Sequence, residues 1–263
     1  MDKLKIKSVK DMIHVDPLFE EFSNEHEILD KAINPLGAKL KTGDLVENGT
    51  VEQLICRMDL DPMQPFIDFK GIRTSNKEYI QKELDWYLSE DLSIVGHVDD
   101  IKIWNQVCTK DEKKEVNSNY GWLVFNEDNG NQYDNCLRVL EDDPASRNAV
   151  LIYNRPEIYK DYKRDGMHDM ICTMYSHFFI RKSTLQMVHT MRSNDLIFGF
   201  MNDFAWTCFV YQNMYLDLKQ TYPSLRPGKI LWQSDSMHVY PKHFKIIEKI
   251  VEAYKDNEGD LKI

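Results

Sequence analysis

The sequence predicts an α+β fold, with a mixed β-sheet flanked by helices. Two long strand candidates, residues 171–181 and 184–191, follow each other directly and predict a hairpin that turns at Lys182 and Ser183. Helical and strand patterns are mixed along the chain without the strict alternation that a parallel sheet requires. The 263 residues fit one large domain or two small ones. Since no linker divides them, we expect a single domain over residues 1–263.

The helices are predicted from apolar side chains at helical spacing. Residues 76–88 place Ile80, Leu84 and Tyr87 on one face. A short helix over 133–140 ends at the turn signal Asp142-Asp143-Pro144, and a long apolar helix covers 196–219. Pro241 opens a closing amphipathic helix.

Two further segments complete the predicted order of elements. Residues 149–153 and 229–240 have the composition of strands, the first of them buried. Residues 34–50 are rich in Gly, Lys and Asn and predict a loop or hairpin.

Composition and charge exclude several classes of protein. The net charge of −10 argues against a nucleic-acid partner, because lysine and arginine drive binding to phosphate backbones. The N-terminus lacks the apolar core of a signal peptide, and no apolar run approaches the length of a membrane span. We therefore expect a cytoplasmic protein without a membrane partner. The five cysteines are scattered, without metal-like spacing, which predicts free thiols and no bound metal.

Cys172 is the candidate nucleophile. Alone, a cysteine near the start of a strand is most often a small buried apolar residue. Its neighbourhood changes this interpretation, because the segment Met191-Arg-Ser-Asn-Asp-Leu-Ile-Phe-Gly follows about twenty residues later. Further motifs occupy residues 102–107, 116–122, 165–169 and 237–240.

Together these motifs resemble the thymidylate synthase family, in which a nucleophilic cysteine precedes an Arg-Ser-x-Asp segment by the same interval. The resemblance extends to the deoxycytidylate hydroxymethylases of phages. It covers residues 76–244, and the first 70 or so residues match poorly. Several ordered motifs are far more specific than one short pattern.

The resemblance implies both a reaction and a fold. A one-carbon unit passes from 5,10-methylenetetrahydrofolate to carbon 5 of a pyrimidine nucleoside monophosphate. Addition of Cys172 to carbon 6 makes carbon 5 nucleophilic, which is covalent catalysis. The implied fold is that of thymidylate synthase, with one sheet face forming a homodimer interface.

The resemblance also implies the nucleotide contacts. Arg192 would hold the phosphate and favour the thiolate of Cys172, since a guanidinium stabilises a nearby negative charge. Ser193 follows it, as in family members that bind deoxynucleotides. His238 and Tyr240 would hold the sugar hydroxyl, and alternation along a strand puts them on one face.

Arg147 matches a family arginine that the neighbouring subunit donates to the phosphate. The family has a second arginine at the next position, where this chain has Asn148. That departure implies weaker phosphate binding. It also supports a rival hypothesis, a non-catalytic relative that only binds nucleotide.

Base choice is assigned to Asp203, 31 residues after Cys172, where thymidylate synthases have asparagine. A carboxylate accepts hydrogen bonds, and its protonated form can also donate one, which suits the amino group and ring nitrogen of cytosine. Asn202 is the adjacent candidate contact. The alternative is that both residues lie on a solvated helix turn.

Glu83 matches the family's catalytic glutamate, with a pKa raised by nearby Trp86 and Tyr87. Tyr120 is expected in the same hydrogen-bond network. Asp195 and Trp104 are the candidate folate contacts.

The final residues bear on the product. Residues 255–263 are polar and acidic, whereas thymidylate synthases end in a short apolar segment that closes the site. A wetter site favours addition of water and a hydroxymethyl product over a methyl product. The alternatives are 5-methylation, or modification of deoxyuridylate or cytidylate.

Overall fold

The fold is built on a six-stranded mixed sheet. The computed structural model describes residues 4–17 and 23–255. The strands are β1 (Val51–Leu60), β4 (Val150–Ile152), β5 (Thr173–Arg181), β6 (Thr184–Met191), β7 (Asn194–Asp195) and β8 (Arg226–Val239), with a separate pair β2 (Asp68–Phe69) and β3 (Arg73–Thr74). In the sheet they lie in the order β1-β8-β6-β5-β4, and β7 pairs with β8. β6 and β7 run parallel to β8, and the other pairings are antiparallel. The α+β class with a mixed sheet is thereby confirmed.

Helices flank this sheet. The longest, α8, spans Phe200–Thr221 and is buried along most of its length. Phe200 and Phe204 of α8 pack edge-on against Trp232 of β8, with ring centroids 5.2 and 6.0 Å apart. The helices are α1 (Asn24–Ile28), α2 (Asn34–Thr42), α3 (Lys77–Ser89), α4 (Lys102–Val107), α5 (Tyr120–Phe125), α6 (Gln132–Asp142), α7 (Ile158–Asp161), α8 and α9 (Phe244–Tyr254), with a π-helical turn at Leu29–Ile33.

The two faces of the sheet differ sharply. The face toward α8 carries Phe178, Met187 and Trp232, which are at most 1% exposed. The opposite face carries Tyr175 and Leu231, which are 37% and 41% exposed. The registers place Arg57, Asp59, Gln186 and Gln233 on the same face, so it mixes apolar and polar side chains.

Most predicted elements are confirmed, and their ends move by a few residues. The hairpin turns at Lys182 and Ser183, whose φ angles of 51° and 55° are those of a type I′ turn. The predicted loop over residues 34–50 is wrong in its first half, which forms α2 and ends at the left-handed Gly43. Contacts with β1 and α9 stabilise α2 and outweigh its poor composition.

Gly121 brings α5 against α3. A β-carbon at this position would lie 1.7 Å from the Tyr87 carbonyl oxygen, so only glycine allows the approach. As a result Tyr120 stacks on Tyr87, with ring centroids 5.4 Å apart. This packing carries Tyr120 to the helix that holds Glu83.

Candidate active site

Cys172 lies immediately before β5, beside the end of β6. The backbone N–H of Arg192 donates to the Cys172 carbonyl at 2.9 Å. The Arg192 guanidinium donates to the carbonyl oxygens of Met170 and Ile171 at 2.6 and 3.0 Å, and lies 3.6 Å from the Cys172 sulfur. The predicted pair is therefore in contact, and the arginine is anchored to the segment that carries the thiol.

Arg192 does not by itself make Cys172 a thiolate. Burial raises the pKa of the Cys172 thiol to about 11, although Arg192 acts to lower it. Asp203 and Asp169 raise it further. The expected charge effect of Arg192 has the predicted sign, but desolvation is larger, so the resting group at neutral pH is the thiol.

Glu83 lies on α3 with a buried carboxylate. Its Oε1 accepts hydrogen bonds from the Tyr79 hydroxyl at 2.7 Å and the Trp104 indole N–H at 3.0 Å. Burial raises the Glu83 pKa to about 7, against the opposing effect of these two donors. The predicted rise is present, and a pKa near neutrality suits a group that both gives and takes a proton.

This pKa predicts a pH-dependent stability difference between wild type and Glu83→Gln. The folded state holds the Glu83 proton more tightly than the unfolded state, whose value is near 4.5. The protonated Glu83 therefore stabilises the folded state relative to the ionised form. This stabilisation is fully present below the unfolded pKa and is lost as the pH rises through about 7. From pH 5 to pH 8, wild type is expected to lose about 2 to 3 kcal/mol relative to the variant. Urea unfolding at both pH values measures this difference, and a constant difference would contradict the assignment.

Tyr120 contacts Thr173 rather than Glu83. Its hydroxyl accepts a hydrogen bond from the Thr173 hydroxyl at 3.0 Å. Burial raises the Tyr120 pKa well above its usual range, and the charges of Asp203 and Cys172 raise it further. Tyr120 therefore lies close to the sulfur and the predicted base reader, and joins the Glu83 helix through stacking.

Asp203 lies in the first turn of α8, facing the site. Its Oδ2 accepts a hydrogen bond from the Asn194 side-chain amide at 3.1 Å. Burial raises its pKa well above the usual value, and the charge of Glu83 adds to this. The raised pKa favours the protonated form, and Asp203 is half-buried on a helix turn that is neither enclosed nor fully solvated. Asn202 is half-buried and donates to the Phe198 carbonyl at 3.3 Å.

His238 and Tyr240 lie together at the end of β8. Their rings meet edge to face, with centroids 5.1 Å apart. Burial raises the Tyr240 pKa, as do the charges of Asp195 and Cys172, and the side chain is 41% exposed. Asp195 accepts backbone hydrogen bonds from Ile197 and Phe198 at its Oδ1. Ser193 is half-buried between Arg192 and β7.

Arg147 lies away from these residues. The backbone N–H of Phe178 donates to the Ala149 carbonyl, so Arg147 adjoins the end of β5 far from Cys172. Phe178 is six residues from Cys172, about 20 Å along an extended strand. Arg147 is exposed, as is Asn148, and its carbonyl contacts the His177 ring at 3.0 Å. No arginine side chain could span this distance within one subunit.

Three contributors were missed by sequence reasoning. Tyr79 lies four residues before Glu83, a spacing that places both on one helix face and could have been noticed. Asn194 stands inside the Arg-Ser-Asn-Asp segment, yet its contact with Asp203 depends on tertiary structure. Asp169 is buried and accepts from the backbone N–H groups of Asn117 and Ser118 at 2.8 and 2.7 Å, which fixes the segment before Cys172.

The described residues offer neither a metal centre nor a membrane helix. Across residues 4–17 and 23–255, no group of three His, Cys, Asp or Glu side chains is placed to hold a metal ion. In the same ranges no helix is long and apolar enough to cross a membrane. All five cysteines are free thiols.

Comparison with known proteins gives relatives of two kinds. The deoxycytidylate 5-hydroxymethyltransferase of Enterobacteria phage T6 is 40% identical over 242 residues, covering 86% of this chain and 94% of the phage protein. The protein of the same name from Enterobacteria phage T4 is 40% identical over 222 residues, covering 81% and 86%. The thymidylate synthase of Francisella tularensis subsp. holarctica (strain LVS) is 24% identical over 208 residues, covering 73% and 71%.

The predicted resemblance is confirmed by these relatives and by the family profile. The thymidylate synthase profile matches residues 31–263, which include the cysteine, glutamate, arginine and aspartate of the site. With the motifs, the mixed sheet and the profile in agreement, the chain belongs to the thymidylate synthase family.

Proposed function

We propose that this protein transfers a one-carbon unit to carbon 5 of deoxycytidylate and releases 5-hydroxymethyldeoxycytidylate. The observation that carries the proposal is the half-buried carboxyl of Asp203, close to Cys172 and Tyr120, whose pKa burial raises and whose Oδ2 accepts a hydrogen bond from the Asn194 amide. The phage relatives bear the name of this activity.

The hydrogen-bond donors and acceptors of Asp203 match those of cytosine. Cytosine offers an acceptor at its ring nitrogen and a donor at its amino group, and a neutral carboxyl offers one donor and one acceptor. The pairing leaves neither partner unsatisfied in a buried site, where an unpaired polar group is costly. Asp203 is thereby the base reader, and Asn202 on the same helix turn is the adjacent candidate contact.

Cys172 is the nucleophile, and its thiol must lose a proton as it attacks. Its pKa of about 11 means that little thiolate exists at rest, so sulfur attack and proton loss are coupled. Arg192 stabilises the developing charge at 3.6 Å from the sulfur. The rest of its guanidinium, with Ser193, is available to the phosphate, and His238 with Tyr240 to the sugar hydroxyl.

Glu83 is the acid and base of the site. With a pKa of about 7, it can accept a proton from the reacting ring and return one to a leaving group. Tyr79 and Trp104 hold its carboxylate in one orientation through hydrogen bonds at 2.7 and 3.0 Å.

Two residues of the site suit 5,10-methylenetetrahydrofolate as the co-substrate. Trp104 is half-buried and presents an aromatic ring there, and Asp195 has Oδ1 held by the backbone, which leaves Oδ2 for a ligand N–H. Bound folate would supply the one-carbon unit at the oxidation level of formaldehyde. Trp104 and Asp195 would bind and orient it, and Glu83 would accept and donate the protons.

The choice of hydroxymethyl over methyl rests on the relatives' names and on the polar end of the chain. Residues 256–263 lie outside the described residues, so their expected effect on water access stays a prediction. Methylation of the same base, or action on deoxyuridylate or cytidylate, is the competing activity.

A homodimer would complete the site. We assign the two-fold interface to the sheet face that exposes Tyr175 and Leu231, which are 37% and 41% exposed. Arg147 adjoins this face through its contact with His177, about 20 Å or more from its own Cys172. In a dimer packed on that face, Arg147 of one subunit would reach the nucleotide phosphate bound by the other. Because the next residue is Asn148, Arg147 would supply only one positive charge there.

Mixing two inactive variants tests this arrangement. Arg147→Ala and Cys172→Ser subunits, unfolded and refolded together in equal amounts, should form heterodimers in half of the dimers. In each heterodimer one site combines Cys172 of one subunit with Arg147 of the other. Activity should recover to about a quarter of the wild-type value, because one site in four is complete. Absence of recovery would contradict an arginine acting across the interface.

Hydrogen exchange at carbon 5 tests the function itself. With methylenetetrahydrofolate, the protein should release tritium from carbon 5 of deoxycytidylate much faster than from deoxyuridylate. A protein that binds deoxycytidylate and releases no tritium would instead be a nucleotide-binding relative without catalysis.

A further inference from the structure

Asn194 makes a side-chain contact that the reaction described above does not use. The residue lies on β7, which pairs with β8 at Met237, and is 2% exposed. Its side-chain nitrogen donates to Asp203 Oδ2 at 3.1 Å. The carboxyl of the base reader is therefore held at one of its two oxygens by a buried amide.

The residues around Asn194 and Asp203 leave room for the contact between their side chains. A β-carbon at Gly199 would lie 3.2 Å from Asp203 Oδ2 and 3.7 Å from the Asn194 nitrogen, so any side chain there would crowd the pair. The backbone N–H of Asp203 donates to the Gly199 carbonyl at 3.0 Å. The amide oxygen of Asn194 is buried without a hydrogen-bond partner among the described residues, a cost that an apolar residue would avoid.

A neutral carboxyl alone cannot distinguish cytosine from uracil. With its proton on one oxygen, it donates to the ring nitrogen of cytosine and accepts from the amino group. With its proton on the other oxygen, it accepts from the ring N–H of uracil and donates to the carbonyl oxygen. Choice between the bases then depends on which oxygen carries the proton.

We propose that Asn194 is a positioning residue that makes Asp203 read cytosine, because its amide N–H holds Oδ2 as the acceptor and leaves the proton to Oδ1. A carbonyl oxygen accepts a hydrogen bond better than the hydroxyl oxygen of an acid, so the donor favours this arrangement. Oδ1 then donates to the ring nitrogen of deoxycytidylate, and Oδ2 accepts from its amino group. The inference rests on the proposed function and assigns its base specificity to a pair of residues.

Dissociation constants for deoxycytidylate and deoxyuridylate test the proposal without requiring turnover. In Asn194→Ala, the preference for deoxycytidylate should fall roughly 10-fold, the effect of losing one hydrogen bond to a half-buried carboxyl. Asn194→Leu, which keeps most of the volume and cannot donate, should show the same fall. In the Asp203→Ala background, Asn194→Ala should leave the ratio unchanged, since no carboxyl remains to be oriented.

Thr207→Val is the matched control. The Thr207 hydroxyl donates to the backbone carbonyl of Asp203 at 2.7 Å, so this variant disturbs the same residue but not its carboxyl. Its ratio of the dissociation constants for deoxycytidylate and deoxyuridylate should equal that of wild type. The proposal is overturned if both Asn194 variants keep the wild-type ratio, or if Asn194→Ala changes it equally without the Asp203 carboxyl. If wild type itself shows no preference for deoxycytidylate, the proposed function fails instead.

Discussion

Replacing Cys172 by serine is expected to lower turnover at least about 1000-fold, because a serine hydroxyl in this position has no base in contact that would make it a nucleophile. The sulfur lies 3.6 Å from the Arg192 guanidinium, which remains in the variant and is the phosphate ligand of the proposed function. The dissociation constant for deoxycytidylate should therefore change little while turnover collapses. Single-turnover kinetics and nucleotide binding measured on the same preparation separate the two effects.

Cys56→Ser is the control for loss of a buried thiol. Burial raises the Cys56 pKa to about 11, as for Cys172, but Cys56 lies on β1 and contacts the Lys31 carbonyl. This variant should retain wild-type turnover. A Cys172→Ser protein as active as the control would exclude the covalent mechanism.

Asp203→Asn is expected to abolish the preference for deoxycytidylate, moving the ratio of kcat/KM toward deoxyuridylate by roughly 100-fold. The side-chain amide of the variant carries two N–H protons. One can donate to the carbonyl oxygen of uracil, and the other can donate to the Asn194 side-chain oxygen if the Asn194 amide rotates. The carboxyl has only one proton and cannot make both bonds. The asparagine amide can therefore bind either base, whereas the aspartic acid binds cytosine.

Asp217→Asn is the matched control for this substitution. Asp217 lies on the same helix, has a pKa raised by burial, and accepts from the Tyr133 hydroxyl at 2.8 Å. It is 14 residues from Asp203, about 21 Å along the helix axis. The base preference should be unchanged in Asp217→Asn. An unaltered preference in Asp203→Asn would remove Asp203 from base recognition.

The elements predicted best were those whose local pattern and packing agree. The hairpin of β5 and β6 combines long strands with a two-residue turn, and α3 is capped by Asn76, whose side chain accepts from Tyr79 N–H. α2 was missed because its Gly and Pro content disfavours a helix, and only packing against α9 and β1 supports it. β1 was not predicted at all, although it pairs with β8 over most of its length.

The site was predictable where spacing along the chain carries it. The intervals from Cys172 to Arg192 and Asp203 identified residues that the fold brings together. The balance of charges was not predictable, since the raised pKa of the Cys172 thiol depends on how deeply the sulfur is buried. The contacts of Tyr79 with Glu83 and Asn194 with Asp203 likewise depend on geometry that one sequence does not specify.

Mass spectrometry of the product tests the central claim most directly. The purified protein is given methylenetetrahydrofolate with equal amounts of deoxycytidylate, deoxyuridylate and cytidylate. The account predicts that deoxycytidylate alone gains the mass of CH2O, while the folate leaves as tetrahydrofolate. A gain of CH2 with formation of dihydrofolate, or modification of deoxyuridylate in preference to deoxycytidylate, would contradict it.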